Sequence, residues 1–350
     1  MTWRVWCLGL CSLWLSGCQS MGYYGQNIKG QWQILSQRQA LEKVIKQPQT
    51  PPNLAKQLQT IQQIRQFAAS LNLPIKGQYD TYVDIKRPYA MWSVAATPEL
   101  SLTPKTWCYW MVGCLGYRSF FEQQLAENFE KELQGLGYDT YLSRVTAYST
   151  LGWFRDSVLS SFVYKPEAEL AELLFHELAH QVVYAKDDPV FNESFAEVVA
   201  EEGLKRYLVG RSEGLERIAL RKKRQQQFAE LVLDYRQQLQ KVYLSKQSAA
   251  DKRLVKQQLF LALQQSYQQL KTEQWQGFTG YDAWFLSLSN AKLNSVAVYN
   301  SLIPALSALL VSVDLNLVRF YQQCQQLATL PRQQRHQILQ KMLDDTGAKQ

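Results

Sequence analysis

Residues 173–183 read Leu-Leu-Phe-His-Glu-Leu-Ala-His-Gln-Val-Val, and this stretch holds two of the three histidines of the chain, four residues apart. On a helix, His176 and His180 lie one turn apart on the same face, so both imidazoles can bind one zinc ion. Glu177 projects beside that face, where its carboxylate can act on a water molecule instead of the metal. The apolar neighbours would bury the helix and exclude bulk water. The alternative interpretation is a pair of core-facing histidines with a helical glutamate between them.

A catalytic zinc site takes three protein ligands and leaves the fourth position open. Glu193 is the predicted third ligand, because it opens a second predicted helix after a short turn. Glu197 and Glu201 follow at helical spacing on roughly the same face. One of them could orient a zinc-bound histidine by accepting its second ring N–H, and the alternative for either residue is a solvent-exposed helix face. If Glu193 does not bind the metal, Glu197 is the substitute ligand.

The first 26 residues indicate export and a lipid anchor. After Arg4, the apolar run Val5–Leu15 is too short to span a bilayer as a helix. It ends in Leu-Ser-Gly before Cys18, and small residues before a cysteine resemble a lipobox. We therefore expect residues 1–17 to be a signal peptide and Cys18 to carry lipid. An ordinary secretory signal with a chance cysteine is the alternative. Gln19, in place of an aspartate, predicts the outer membrane, facing the periplasm.

The composition is that of an ordinary globular protein, with 350 residues, 46% hydrophobic and 19% charged. The densest basic run, Arg221–Arg224, has no interleaved aromatic residues, so a solvated helix face is favoured over a nucleic-acid patch. In an oxidising compartment, Cys108 and Cys114 are predicted to pair, which leaves Cys324 free. His336 lies in a polar C-terminal segment and is predicted to be a surface residue.

The periodicity predicts a mostly helical α+β chain. A helix is expected from Pro166 to about Tyr184, and a second from Glu193 to Leu208 with Asn192 as its cap. The apolar segment 302–313 is predicted to be a core helix, not a membrane span. Further segments are a helix at 120–136 and strands at 79–94, 107–117 and 140–148, with the C-terminal half almost wholly helical.

The histidine pair followed by Asn192-Glu193 resembles the gluzincin peptidases, in which the glutamate of an Asn-Glu pair is the third zinc ligand. Most of the mature chain also resembles a family of bacterial lipoproteins known as predicted aminopeptidases. The segments that carry this second resemblance are Gly22-Tyr23-Tyr24 with Gly30-Gln31, Arg87-Pro88-Tyr89, Val112-Gly113-Cys114 with Tyr117-Arg118, 147–154, 191–196 and 281–299.

The resemblance implies a zinc peptidase with Glu177 as general base and Tyr148 or Tyr299 as the donor that stabilises the oxyanion. Each tyrosine is otherwise a packing aromatic. It also implies a zincin-like core at 76–210, with a small sheet beside the histidine helix. The strand 140–148 is then an edge on which a peptide substrate could lie. The tether and N-terminal helices occupy 18–75, and the helical C-terminal region occupies 211–350. The alternative function is a non-catalytic zinc lipoprotein that offers its helical half to a partner.

Overall fold

The computed structural model describes residues 22–109, 113–147, 150, 154–210 and 215–347. The protein is α+β and mostly helical, as the sequence predicts. Its helices are α1 (22–36), α2 (Leu41–Lys46), α3 (Pro52–Ser70), α4 (Gln123–Gly135), α5 (Glu167–Ala179), α6 (Pro189–Tyr207), α7 (Leu215–Leu244), α8 (Ala249–Glu273), α9 (Asp282–Phe285), α10 (Asn290–Asn300), α11 (Ile303–Ser312), α12 (Leu317–Thr329) and α13 (Arg332–Gly347). Its strands are β1 (Gln39–Ala40), β2 (Thr81–Val83), β3 (Met91–Pro98), β4 (Trp107–Tyr109), β5 (Gly113–Leu115), β6 (Tyr117–Phe120), β7 (Tyr138–Val145) and β8 (Val158–Leu159).

The larger sheet has β3 at its centre, with β6 and β7 antiparallel to it on either side. Trp92 of β3 lies opposite Phe120 of β6, and α4 covers the sheet with Ala126 and Leu133. A second sheet runs β1-β2-β8, in which β2 and β8 are parallel, and β4 and β5 form a hairpin. The order of the larger sheet leaves β6 and β7 as its edge strands.

The main core surrounds α5 and α6. In α3, Leu58, Ile61 and Ile64 recur at helical spacing and are fully buried, and they join Phe175 and Phe195 in the same core. Each such side chain contributes about 1.5–3 kcal/mol when it is removed from water. The helices that carry the candidate ligands are therefore held by the largest apolar cluster of the described chain.

A second apolar cluster joins α7, α8, α9 and α10. Asn290, at the start of α10, connects this cluster to the larger sheet. Its side-chain amide donates to the carbonyls of Glu99 and Ser101 at 2.8 and 3.0 Å, and its oxygen accepts from Tyr243. Its backbone N–H donates to Asp139. The buried amide explains why the C-terminal helices pack against the end of β3.

One apolar stretch, Asn290–Ser312, is long and hydrophobic enough to cross a bilayer by length and composition alone. A turn at residues 301–302 divides it into α10 and α11. On α11, Leu306, Leu309 and Leu310 are buried in the main core. This packing agrees with the core helix that the sequence predicts at 302–313.

The C-terminal helix α13 is connected to the start of α6 by a buried ion pair. Arg335 and Asp188 are 2% and 0% exposed, and the guanidinium donates to the carboxylate. His336 is 30% exposed and lies 2.8 Å from the same carboxylate oxygen, so the predicted surface histidine also contacts a buried aspartate. Sequence separation hid this contact, because Asp188 and His336 meet only through tertiary packing.

Replacing Arg335 by alanine should lower the free energy of unfolding by up to about 3–5 kcal/mol, because Asp188 would lose its one buried partner and keep only the partly exposed His336 and Arg332. Arg332→Ala is the matched control, since its side chain is 57% exposed and lies 3.7 Å from the same carboxylate. We expect that control to change stability by no more than about 0.5 kcal/mol. Urea denaturation of both variants measures the difference, and equally small effects would show that the buried pair contributes little.

Candidate metal centre

Helix α5 presents both histidines at its C-terminal end. Glu167 and Glu169 lie in its first turn, where negative charge interacts favourably with the helix dipole. The helix ends at Ala179, with His180 as its C-cap, so the predicted extension to about Tyr184 was wrong. The short helix leaves His176 and His180 one turn apart beside the following turn.

Asn192 determines that turn. It is 4% exposed, its side-chain oxygen accepts from the N–H of Ala185 at 2.7 Å, and its amide donates to the Ala185 carbonyl at 2.9 Å. Helix α6 begins at Pro189, because Asp188 accepts from the N–H of Phe191 and proline favours the first helical position. The predicted capping role of Asn192 and the predicted helix start at Glu193 were therefore wrong. Asn192 instead connects the second helix to the turn.

This connection brings three candidate ligand atoms together. His176 Nε2 lies 3.2 Å from His180 Nε2 and 3.4 Å from Glu193 Oε2. His180 Nε2 lies 3.8 Å from the same glutamate oxygen. Donors on a tetrahedral zinc ion, each at about 2.0–2.1 Å, lie about 3.3–3.4 Å apart. The spacing of these atoms therefore fits a zinc ion. Among the residues that the structure describes, His176, His180 and Glu193 form the one group of His, Cys, Asp or Glu side chains close enough together to hold a metal ion.

Glu177 lies beside this group and outside it. It is 8% exposed, and burial raises the pKa of its carboxyl to about 7, partly offset by His176 and increased by Glu193 and Asp156. A carboxyl group with a pKa near 7 can take up and release a proton close to neutral pH. Glu177 is therefore suited to general acid–base chemistry.

Glu197 contacts the second ring nitrogen of His176, with Oε2 3.7 Å from Nδ1. Its side chain is 21% exposed, and its other oxygen lies 3.0 Å from Lys222 Nζ. Burial opposes ionisation of Glu197, but His176 and Lys222 outweigh burial and lower the pKa of this carboxyl to about 2. An ionised carboxylate at this place can orient the imidazole and increase its basicity. Glu197 therefore lies on the side of the His176 ring that faces away from Glu193 and His180.

The basic run at 221–224 is not a simple solvated face, and that interpretation was wrong. Lys222 Nζ lies 2.9 Å from Glu172 and 3.0 Å from Glu197, and Arg221 also pairs with Glu172. Arg224 lies over the ring of Phe278. Acidic residues on α5 and α6 therefore neutralise this part of α7, and the charge pattern of α7 alone could not reveal them.

Tyr117 is a candidate site residue that the sequence analysis did not select. It is the first residue of β6, and it interacts electrostatically with Glu193 and Glu177. Burial of its hydroxyl, followed by these charges, raises the pKa of Tyr117 far above its ordinary value, although the whole residue is 40% exposed. The available signal was its place in Tyr117-Arg118, one of the family-like segments.

The β4–β5 hairpin lies against the turn between α5 and α6. A disulfide joins Cys108 and Cys114 across this hairpin, and the N–H of Cys114 donates to Asp187 Oδ1 at 2.6 Å. Gly113 has a φ of 83°, and a Cβ there would lie 2.2 Å from the same oxygen, so only glycine fits. Tyr117 follows directly, which explains how β6 reaches the candidate metal centre. Cys324 is buried and unpaired.

Cys18 and Tyr148 lie outside the described residues, and the side chain of Tyr299 is also outside them. Their roles as lipid attachment site and oxyanion donors stay predictions.

The fold and this site define a mostly helical α+β protein with a His-Glu-x-x-His helix and a converging glutamate. The model of the family described as "Putative aminopeptidase" matches residues 22–339, which is most of the chain. The chain therefore belongs to that family, and membership supports a peptidase-like function with a peptide substrate. No curated protein and no solved structure matches it.

Replacing Glu197 by alanine should weaken zinc binding about 10–100-fold, because His176 would lose the carboxylate that orients it. Glu201→Ala is the matched control, since Glu201 lies one turn further along α6, pairs with Lys205 at 3.0 Å and shares Lys222 with Glu197 at the longer distance of 3.9 Å. Competition with a chromogenic chelator measures both affinities. If the two variants bind zinc equally well, Glu197 does not support His176.

Proposed function

We propose that this protein is a zinc-dependent peptidase, and that it acts as an aminopeptidase. The observation that carries the proposal is the convergence of His176, His180 and Glu193 to within 4.8 Å of one another, with Glu177 buried beside them. Membership of the family supports a peptide as the substrate.

In this proposal His176, His180 and Glu193 hold the zinc ion. When bound, the ion would polarise the scissile carbonyl and lower the pKa of a water molecule. Glu177 accepts the proton of the attacking water and then donates it to the leaving amine, so its carboxyl returns to its starting state. The buried apolar side of α5 limits the access of bulk water to this carboxyl.

We assign stabilisation of the oxyanion to Tyr117, whose hydroxyl is buried and interacts electrostatically with Glu193 and Glu177. Its hydroxyl can donate a hydrogen bond to a carbonyl oxygen that gains negative charge. Tyr148 and Tyr299 stay candidates for the same role.

The cellular setting is part of the proposal. The lipobox-like sequence before Cys18 supports a lipid anchor at that cysteine after removal of residues 1–17. The disulfide between Cys108 and Cys114 suits an oxidising compartment. Both observations favour a protein that faces the periplasm, and Gln19 favours the outer membrane.

Glu177→Gln should retain about one zinc ion per chain and lower turnover about 10²–10⁴-fold, because the substitution removes the base and keeps the shape. Glu193→Ala should lose zinc and unfold at a lower temperature, because metal binding contributes to the stability of the fold. Metal analysis, thermal unfolding and hydrolysis of a peptide library separate the two effects.

Loss of zinc from Glu177→Gln would contradict the assignment of roles. If the wild-type zinc protein cleaves no peptide across the library while Glu193→Ala still unfolds early, the zinc is structural. The non-catalytic lipoprotein would then be the better account.

Tyr117→Phe should lower kcat about 10²–10³-fold with unchanged zinc content, because the hydroxyl would no longer stabilise the oxyanion. Tyr148→Phe and Tyr299→Phe are the comparison variants, and we expect each to have a smaller effect. A larger loss of kcat in either comparison variant than in Tyr117→Phe would transfer the role to that residue.

A further inference from the structure

The outer face of α1 carries a line of exposed apolar side chains. Tyr24, Ile28 and Trp32 are spaced four residues apart, so they lie on one side of the helix, and they are 50%, 70% and 69% exposed. Large apolar residues aligned in this way are seldom left facing water without a partner.

The opposite face of α1 is firmly attached to the protein. Gln26 accepts from the N–H of Phe121 at 2.9 Å and donates to the carbonyl of Ser119. A Cβ on Gly30 would lie 2.1 Å from the ring of Phe121, so the helix approaches this residue as closely as glycine permits. Ile34 is buried in the main core. The exposed line is therefore held in a fixed orientation.

The composition of this face suits a lipid surface. Tyrosine and tryptophan favour the boundary between headgroups and acyl chains, where a ring can be buried while its polar atom stays hydrated. Between residues 22 and 36, Lys29 is the only charged residue. Its side chain is 80% exposed, and its ammonium lies 3.6 Å from the exposed carboxylate of Glu122. Because this pair is close to neutral, the apolar and aromatic side chains, and not charge, would supply the affinity for a membrane.

The proposed lipid anchor at Cys18 would bring a membrane surface close to α1. Tyr24 is six residues from Cys18, so an extended connection would span at most about 20 Å. If Cys18 carries lipid, this connection keeps α1 close to the bilayer. A lipid chain already in the membrane would also hold the helix at a high local concentration there.

We propose that Tyr24, Ile28 and Trp32 dock α1 into the headgroup region of the membrane beside the Cys18 anchor. Since Gln26 connects α1 to Ser119 and Phe121 at the end of β6, docking would fix the orientation of β6 relative to the bilayer. The candidate metal centre beside β6 would then be presented close to the membrane surface. This inference does not depend on whether the centre is catalytic.

The test uses the lipidated mature protein in vesicles of phosphatidylethanolamine and phosphatidylglycerol. Ile28→Cys is labelled with an environment-sensitive nitrobenzoxadiazole dye, because Cys108 and Cys114 are bonded to each other and Cys324 is buried. Leu254→Cys is the matched control, since Leu254 is a 59% exposed aliphatic residue on α8. Doxyl-labelled lipids report contact between the dye and the bilayer.

We expect shallow doxyl lipids to reduce the emission of dye at position 28 at least about twofold and to leave dye at position 254 unchanged. The additional change Tyr24→Ser with Trp32→Ser should abolish this quenching while unlabelled protein keeps its circular dichroism. The proposal is wrong if dye at position 28 is not quenched. A blue-shifted emission without lipid quenching would show that a protein covers this face, and failure of the mature protein to join the vesicles would also overturn the proposal.

Discussion

The turn between α5 and α6 is the constraint on which the candidate metal centre depends. His176 and His180 are brought together by a single helix, but Glu193 reaches them only because the chain reverses within a few residues. Asn192 holds that reversal through both backbone polar groups of Ala185. A buried amide with both groups satisfied permits little movement, since losing either bond would leave a polar group unpaired away from water.

Other parts of the chain stabilise the same turn from outside. Asp188 caps α6 and pairs with Arg335, which brings the C-terminal helix against the turn. The disulfide hairpin approaches from the sheet side, where Cys114 donates to Asp187. Lys222 of α7 pairs with Glu172 on α5 and Glu197 on α6. Three regions distant in sequence therefore restrict the separation of the two helices that carry the ligands.

The sequence predicted most accurately those contacts that join residues only a few positions apart. The spacing of His176 and His180 follows from one helical turn, and the close Cys108–Cys114 pair follows from a short hairpin. The ends of α5 and α6 were not predictable in the same way. Pattern and propensity favoured a longer first helix and a later second one, whereas the outcome depended on Asn192 bonding to the backbone of Ala185. A hydrogen bond from a side chain to the backbone of a residue seven positions earlier leaves no periodic signal in the sequence.

The residues that surround the site required tertiary structure. Tyr117 lies about 60 residues before the histidines and approaches them because the hairpin rests on the turn. Lys222 appeared as one member of a basic run, but Glu172 and Glu197 determine its surroundings. Composition indicated a solvated face for both α7 and the segment around His336. Ion pairs with acidic partners from other helices make Lys222 and His336 only partly exposed.

X-ray absorption at the zinc edge of the purified zinc protein reports the ligands of the metal ion themselves. We expect one ion per chain with two imidazole nitrogens at about 2.0–2.1 Å and oxygen in the remaining positions. Glu193→Ala should remove this ordered shell or replace a carboxylate oxygen by solvent. A shell without imidazole scattering, or one that contains sulfur, would contradict a centre built from His176, His180 and Glu193.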